Sequence, residues 1–312
     1  MADAQDPTGK PDRSGLVAAL GAYVLWGAFP AFWPLLAPAG SVEILAHRIA
    51  WTLVGMVVVL TAARGWSQLR GQTWRTWLTI GAASVLITIN WGVYIWGVTH
   101  GRVVESALGY YVNPLVSVVL AVVVLGERLR RTQWAAVGIA TAAVAVLWAG
   151  TGALPWIALV LAASFGVYGL LKKRVPLAPA AGLTAEAFLL GPVAVGYIVW
   201  LQATGAGTFG DGTGHSLLLV LAGPVTAIPL LLFAFGAKRL PLATLGLLQY
   251  VNPTLQFAWG VLVDHEPMPP ARWVGFGLVW LALLVFAADS WLVHHRRAPA
   301  PSEPAQPTRS TV

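Results

Sequence analysis

The four residues Tyr111-Val112-Asn113-Pro114 recur as Tyr250-Val251-Asn252-Pro253, a shift of 139 residues. The shift holds on both sides of the motif. Gly27 falls on Gly166, Gly97 on Gly236, Glu127 on Glu266, Trp134 on Trp273 and Gly138 on Gly277. A constant offset across most of a 312-residue chain marks an internal duplication, so the fold must be one that can be built twice.

Composition says what is duplicated. Hydrophobic residues make up 57% of the chain and charged residues only 10%, where a soluble domain carries about 25% charged residues. Mean hydropathy is +0.72, so the partner that solvates this chain is a lipid bilayer. The net charge of +7 does not point to nucleic acid, because Lys and Arg sit singly or in short runs between apolar stretches. With no cysteine in the sequence, disulfides and thiolate metal sites are excluded.

A span needs about 20 apolar residues, and ten candidates fall near 15–36, 41–63, 76–99, 103–125, 132–150, 154–171, 179–201, 216–237, 241–263 and 271–293. The polar tails, 1–13 and 294–312, read as disordered, and no cleavable signal peptide is expected. In alternate loops, 16 of the 19 basic residues fall on one side; Arg102 and Arg272 fall on the other, and Arg48 lies inside a span. By the positive-inside rule both termini face the cytoplasm. Five spans per half is odd, so the halves, 14–150 and 151–293, insert in opposite senses. That is the inverted-repeat plan of many secondary transporters, with the solute near the midplane.

So organised, the chain resembles the EamA-type drug/metabolite transporters, and within them the RarD group. The likeness rests on Trp26-Gly27 with Pro30, Glu43-Ile44-Leu45-Ala46-His47-Arg48, Asn90-Trp91 and Leu108-Gly109-Tyr110-Tyr111-Val112-Asn113-Pro114-Leu115. Leu125-Gly126-Glu127-Arg128 and Thr244-Leu245-Gly246 add to it, and it covers roughly residues 14–293. The second copy departs from the pattern, with Asp264-His265-Glu266 where the first has Leu125-Gly126-Glu127. The resemblance implies an all-α integral membrane protein, a ten-helix bundle of two inverted five-helix repeats that moves small organic solutes across the bacterial inner membrane. RarD proteins commonly carry a chloramphenicol label, which is a poor guide to the physiological solute.

Several residues are candidates for the pathway. Pro114 and Pro253 each remove a helix hydrogen bond, freeing the carbonyls of Tyr110 and Gln249. The adjacent Asn113 and Asn252 are the expected partners, and the pair reads either as a hinge with polar lining or as a plain packing kink. Glu43 and His47, four apart, share a helix face, and a proton taken up there is a candidate co-solute. The plainer reading leaves Glu43 at the water interface and Arg48 tying helices together. Glu186 is the counterpart of Glu43 by a local shift of 143, which puts one carboxylate near each mouth. Trp26, Asn90, Trp91, Tyr94, Tyr111, Tyr168, Gln249 and Tyr250 are the remaining midspan groups, with rings suited to flat organic solutes and cations. Trp66, Trp74, Trp77, Trp273 and Trp291 fit interfacial belts. Glu127 and Glu266, at span ends, read as structural, pairing with Arg131 and Arg272 or capping the next helix.

Neither a phosphate-binding Gly-x-x-x-x-Gly-Lys-Ser/Thr loop nor a His-Glu-x-x-His zinc motif occurs, so no cofactor is expected. A gradient-driven carrier leads over an uncoupled facilitator of the same fold. A membrane-embedded enzyme is the weakest reading, for want of a compact catalytic cluster. Oligomeric state stays open, because Gly275, Gly277 and the alanine-rich fifth span could pack within the bundle or between subunits.

Overall fold

A computed structural model describes residues 12–126 and 129–296 and is all-helical there. Helix α1 (Arg13–Gly27) starts where Asp12 accepts from the backbone N–H groups of Ser14 and Gly15 at 2.9 and 3.3 Å. It ends because Pro30 has no N–H to offer the carbonyl of Trp26 and its ring crowds that carbonyl. The chain turns by 44° into α2 (Phe29–Phe32) and a 3-10 turn to Leu36. The expected single span 15–36 is therefore bent.

Helices α3 (Ser41–Ala62), α4 (Trp74–Thr99), α5 (Val103–Leu125) and α6 (Arg131–Thr151) complete the first half. The second half holds α7 (Trp156–Lys172), α8 (Pro179–Thr204), α9 (Thr213–Ala237), α10 (Leu242–Leu248), α11 (Val251–Leu262) and α12 (Pro270–Arg296). Among the described residues seven helices are long and apolar enough to cross a bilayer, or eight if the bent pair is one span. Helix α7, with 17 residues, is too short to count, and the ninth predicted span is split into α10 and α11. Large apolar side chains point outward along these helices, among them Val17, Leu78, Val193 and Leu284 at 61–71% exposure. Such surface suits lipid and not water.

In lipid no hydrophobic effect drives helices together, so contact relies on close approach and hydrogen bonds. Small residues supply the approach. A Cβ on Gly109 would lie 2.9 Å from the carbonyl oxygen of Ala158, joining α5 to α7. One on Gly223 would lie 2.5 Å from the carbonyl carbon of Trp51, joining α9 to α3. Helix α6 buries Ala136, Ala140 and Ala143 against Phe276, Val279 and Ala282 of α12, and Gly275 faces Leu147. The alanine face of the fifth span and Gly275 thus pack within the bundle.

The helix pairs are exchangeable between halves. Helix α1 packs on α9 as α4 packs on α7, and α3–α8, α5–α11 and α6–α12 pair across the halves. Gly27 meets Leu255, while its repeat mate Gly166 meets Val116, itself the repeat mate of Leu255. Tyr111 and Tyr250 stack on each other at 6.4 Å.

Glu127, expected to pair with Arg131, lies outside the described residues; nearby, Arg130 pairs with Asp289 at 3.2 Å. Glu266 pairs with Arg272 at 4.0 Å, as expected, but the helix it caps is α5 of the other half, where it accepts from the N–H groups of Val103 and Val104. Burial pushes the Glu266 carboxyl up from 4.5 to about 6, against the lowering effect of those two N–H groups and Arg272. A carboxyl raised on folding supports the fold fully below its unfolded value and loses that support as pH rises through its folded value. Glu266→Gln should flatten the dependence of melting temperature on pH between 4.5 and about 6. An unchanged slope would assign that dependence to another group.

Candidate functional site

One cavity of about 510 Å³ runs into the bundle, a volume ordinary for small-molecule sites. It begins at the basic end, among Lys172, Val175, Leu177 and Pro179, and ends blindly at Phe29, Arg48, Asn90 and Tyr94. Beyond that floor lies a plug in which Trp33, Leu36, Ile44, Ile95 and Val103 are almost wholly buried.

Of the residues expected at the pathway, Trp26, Arg48, Asn90, Trp91, Tyr94, Tyr168, Gln249 and Asn252 line the cavity. Asn90 is a tie as well as a lining group. Its Nδ2 donates to the carbonyl of Leu161 at 2.9 Å and to Ser164 Oγ at 3.0 Å, and Tyr110 donates to its Oδ1 at 3.3 Å. Three helices meet on that amide.

The duplicated Asn-Pro steps are not alike in three dimensions. Helix α5 runs through Pro114, whereas the second copy breaks at Gln249–Tyr250, just before Pro253. Neither asparagine is hydrogen-bonded to the carbonyls freed by the prolines. Asn113 Oδ1 is buried without a partner, and Asn252 Oδ1 accepts from Gln256 Nε2 at 2.7 Å. The carbonyl that does find a side chain is Trp26, freed by Pro30, which Gln256 reaches at 3.3 Å. Tyr111 and Tyr250 sit outside the cavity; Tyr111 packs on Phe276 and Trp280 of α12 and bonds Thr254 at 2.8 Å.

Glu43 and His47 do not pair. Glu43 Oε1 accepts from the N–H of Thr208 at 2.7 Å and from its hydroxyl at 3.1 Å. His47 stacks on Phe209 at 5.0 Å and accepts from Trp51 Nε1 at 3.3 Å. Both therefore hold down the glycine-rich loop 205–212, whose Thr208 also bonds His215 Nε2 at 2.7 Å. Gly205 and Gly210, at φ of 70° and 103°, let that loop fold back over α3. At the opposite end Glu186 takes Lys172 at 2.7 Å and Tyr168 at 3.2 Å. Helices α3 and α8 are antiparallel neighbours, so the two carboxylates do lie at opposite ends, Glu43 under a closed strap and Glu186 beside the open mouth.

Arg48 is the group that stands out. It is 2% exposed and, among the described residues, in no ion pair. Its guanidinium carbon lies 4.0 Å from the centre of the Trp91 ring, 5.1 Å from Trp33 and 5.7 Å from Phe29. A desolvated cation–π contact contributes about 2 kcal/mol, against a burial cost of several kcal/mol per ion. The rings offset only part of that cost. They are also already taken by a protein cation, which weakens the reading of a cage for cationic solutes.

Sequence reading missed Tyr23, Phe29, Tyr110, Lys172 and Gln256 on the cavity wall and Thr208 and His215 in the strap. Gln256 had a signal, a polar group one helical turn after Asn252. Thr208 had none, since its bond to Glu43 spans 165 residues.

A family model described as the EamA-like transporter family matches residues 13–149. Protein RarD of Streptomyces exfoliatus is 52% identical over 300 residues, covering 95% of both chains. The uncharacterized transporter YojE of Bacillus subtilis (strain 168) is 46% identical over 282 residues, 88% of this chain and 93% of that one. A solved structure described only as "Crystal structure of protein" aligns with TM-score 0.58 at 20% identity, over 91% of this chain and 99% of that one. It speaks to the fold alone.

Proposed function

Because the chain belongs to the RarD group of the EamA-like transporter family, we propose that it is a secondary carrier of small organic solutes working by alternating access, held here with its cavity open to the cytoplasm. The observation that carries the proposal is the blind cavity, open among Lys172 and Pro179 and stopped at Arg48 and Tyr94 by a packed plug. A pore would run through; a carrier must be closed on one side at a time.

Three further observations support the reading. The exchangeable helix pairs, with Gly27 on Leu255 and Gly166 on Val116, are what two inverted five-span repeats require, α1–α2 counting as one bent span and α10–α11 as one interrupted span. The 16-to-2 split of Lys and Arg supports a mouth, and both termini, at the cytoplasmic side of a bacterial inner membrane. Relatives that match along nearly the whole chain carry transporter names and no enzyme name. The strap on Glu43 and the ion pair of Glu186 are the two gates, and Glu43 or His47 the place for a coupled proton.

Counterflow tests this. Proteoliposomes preloaded with unlabelled solute should take up labelled solute transiently above equilibrium, with a panel of small amphiphilic metabolites and chloramphenicol. An imposed pH gradient should change accumulation in the wild type and not in Glu43→Gln. Downhill flux without counterflow would replace the carrier by a facilitator.

A further inference from the structure

We propose that Arg48 is an anion-binding residue at the cavity floor, and that the solute is an organic carboxylate with a flat apolar body. This rests on the carrier reading for the word solute, but not for the binding site. The floor is rich in donors that lack acceptors. Arg48 Nε and Nη1 and Tyr94 Oη at the floor, and Trp33 Nε1 in the plug behind it, are all buried without a hydrogen-bond partner. Buried polar groups are nearly always paired, so several orphans around one guanidinium ask for an acceptor that the protein does not supply.

The charge balance asks for the same thing. Among the described residues no Asp or Glu lines the cavity, and its other cation, Lys172, is already neutralised by Glu186 at the mouth. A carboxylate is the acceptor that matches a guanidinium fork, because two parallel N–H···O bonds can form at once. The guanidinium carbon of Arg48 lies 4.0 Å from the centre of the Trp91 ring, a neighbour that offers it a π face but no acceptor oxygen. Above the floor the walls are Trp26, Ile87, Phe165 and Leu183, suited to an apolar ring or chain. An organic cation would meet Arg48 as a like charge. A zwitterion would bring an ammonium for which the cavity holds no carboxylate.

The test uses the full chain in nanodiscs at low chloride, with 3-phenylpropionate, its uncharged amide, 3-phenylpropylamine, phenyl phosphate and chloride as probes. Tryptophan fluorescence and melting temperature are the readouts. The carboxylate should bind at least about tenfold more tightly than the amide or the amine, a difference of one decade in affinity. Arg48→Gln should erase that preference, and Arg48→Lys should recover only part of it. Without ligand, Arg48→Gln should melt above the wild type, because an unneutralised buried charge is gone; a tie between helices would make it melt lower.

Equal binding of amide and acid, a carboxylate affinity unchanged in Arg48→Gln, no protection by the carboxylate, or displacement of it by equimolar chloride or phenyl phosphate would each overturn the proposal. Carboxylate binding without counterflow would keep this inference and sink the carrier. Counterflow of amide and amine indifferent to Arg48→Gln would do the reverse.

Discussion

Replacing Gly223 by alanine should destabilise the protein by about 3 kcal/mol or more, although alanine is the better helix former by about 1 kcal/mol. The glycine lies inside α9, where the backbone of α3 passes it. An added Cβ would sit 2.5 Å from the carbonyl carbon and Cβ of Trp51 and 2.7 Å from its oxygen. Two of those three atoms are backbone, which cannot rotate away as a side chain does, so the helices must part. Parting them also disturbs the end of the strap, since α9 begins right after it. The control is Gly138→Ala on α6, where nothing lies within 4 Å of the new methyl; there the same change should stabilise by helix propensity alone. Melting of both variants in one detergent decides it. Equal shifts in the two would show that α3 and α9 do not approach as closely as described.

The second large effect concerns the strap. Glu43 accepts two hydrogen bonds from Thr208, and bonds to a charged acceptor contribute about 1.5–3 kcal/mol each. Glu43→Ala should therefore move the balance between closed and open outer mouths by roughly a hundred- to ten-thousandfold. The native chain has no cysteine, so a single cysteine at Ala234, on the cavity wall, reports access cleanly. In Glu43 protein an impermeant thiol reagent should label it from the basic face. In Glu43→Ala protein labelling from the opposite face should rise by a similar factor. Thr208→Val, which keeps the backbone N–H, should fall between. Labelling that stays one-sided in Glu43→Ala would remove the strap from the gating scheme.

How much of this was legible in the sequence depends on distance along the chain. Helix positions were readable because apolar length and basic loops are local signals, and helices stand at all ten predicted places. The bend after Gly27 was readable in principle from Pro30 and was passed over. The Asn-Pro repeat was found, but its two copies behave differently. Proline removes a hydrogen bond in both, yet only the second copy breaks: α5 runs unbroken between α7 and α11, while α10 is a seven-residue segment against α1. Arg48 was singled out as a charge inside a span and Trp91 as a midspan ring, whereas their meeting at the cavity floor needed coordinates. Glu43 was paired with His47 on helical spacing, and the spacing was sound. What won was a loop 165 residues away, offering a backbone N–H and a hydroxyl together.

Glu266 bears on the making of the protein as well as its resting form. The N–H groups of Val103 and Val104 wait for a carboxylate 163 residues downstream. At about 5–20 residues per second, a ribosome needs roughly ten to thirty seconds to deliver it. For that interval the fourth span has its first turn uncapped at the lipid headgroups, and the first half cannot take its final form. The two copies were fused at the level of the gene, and through this one side chain they also mature as a single unit.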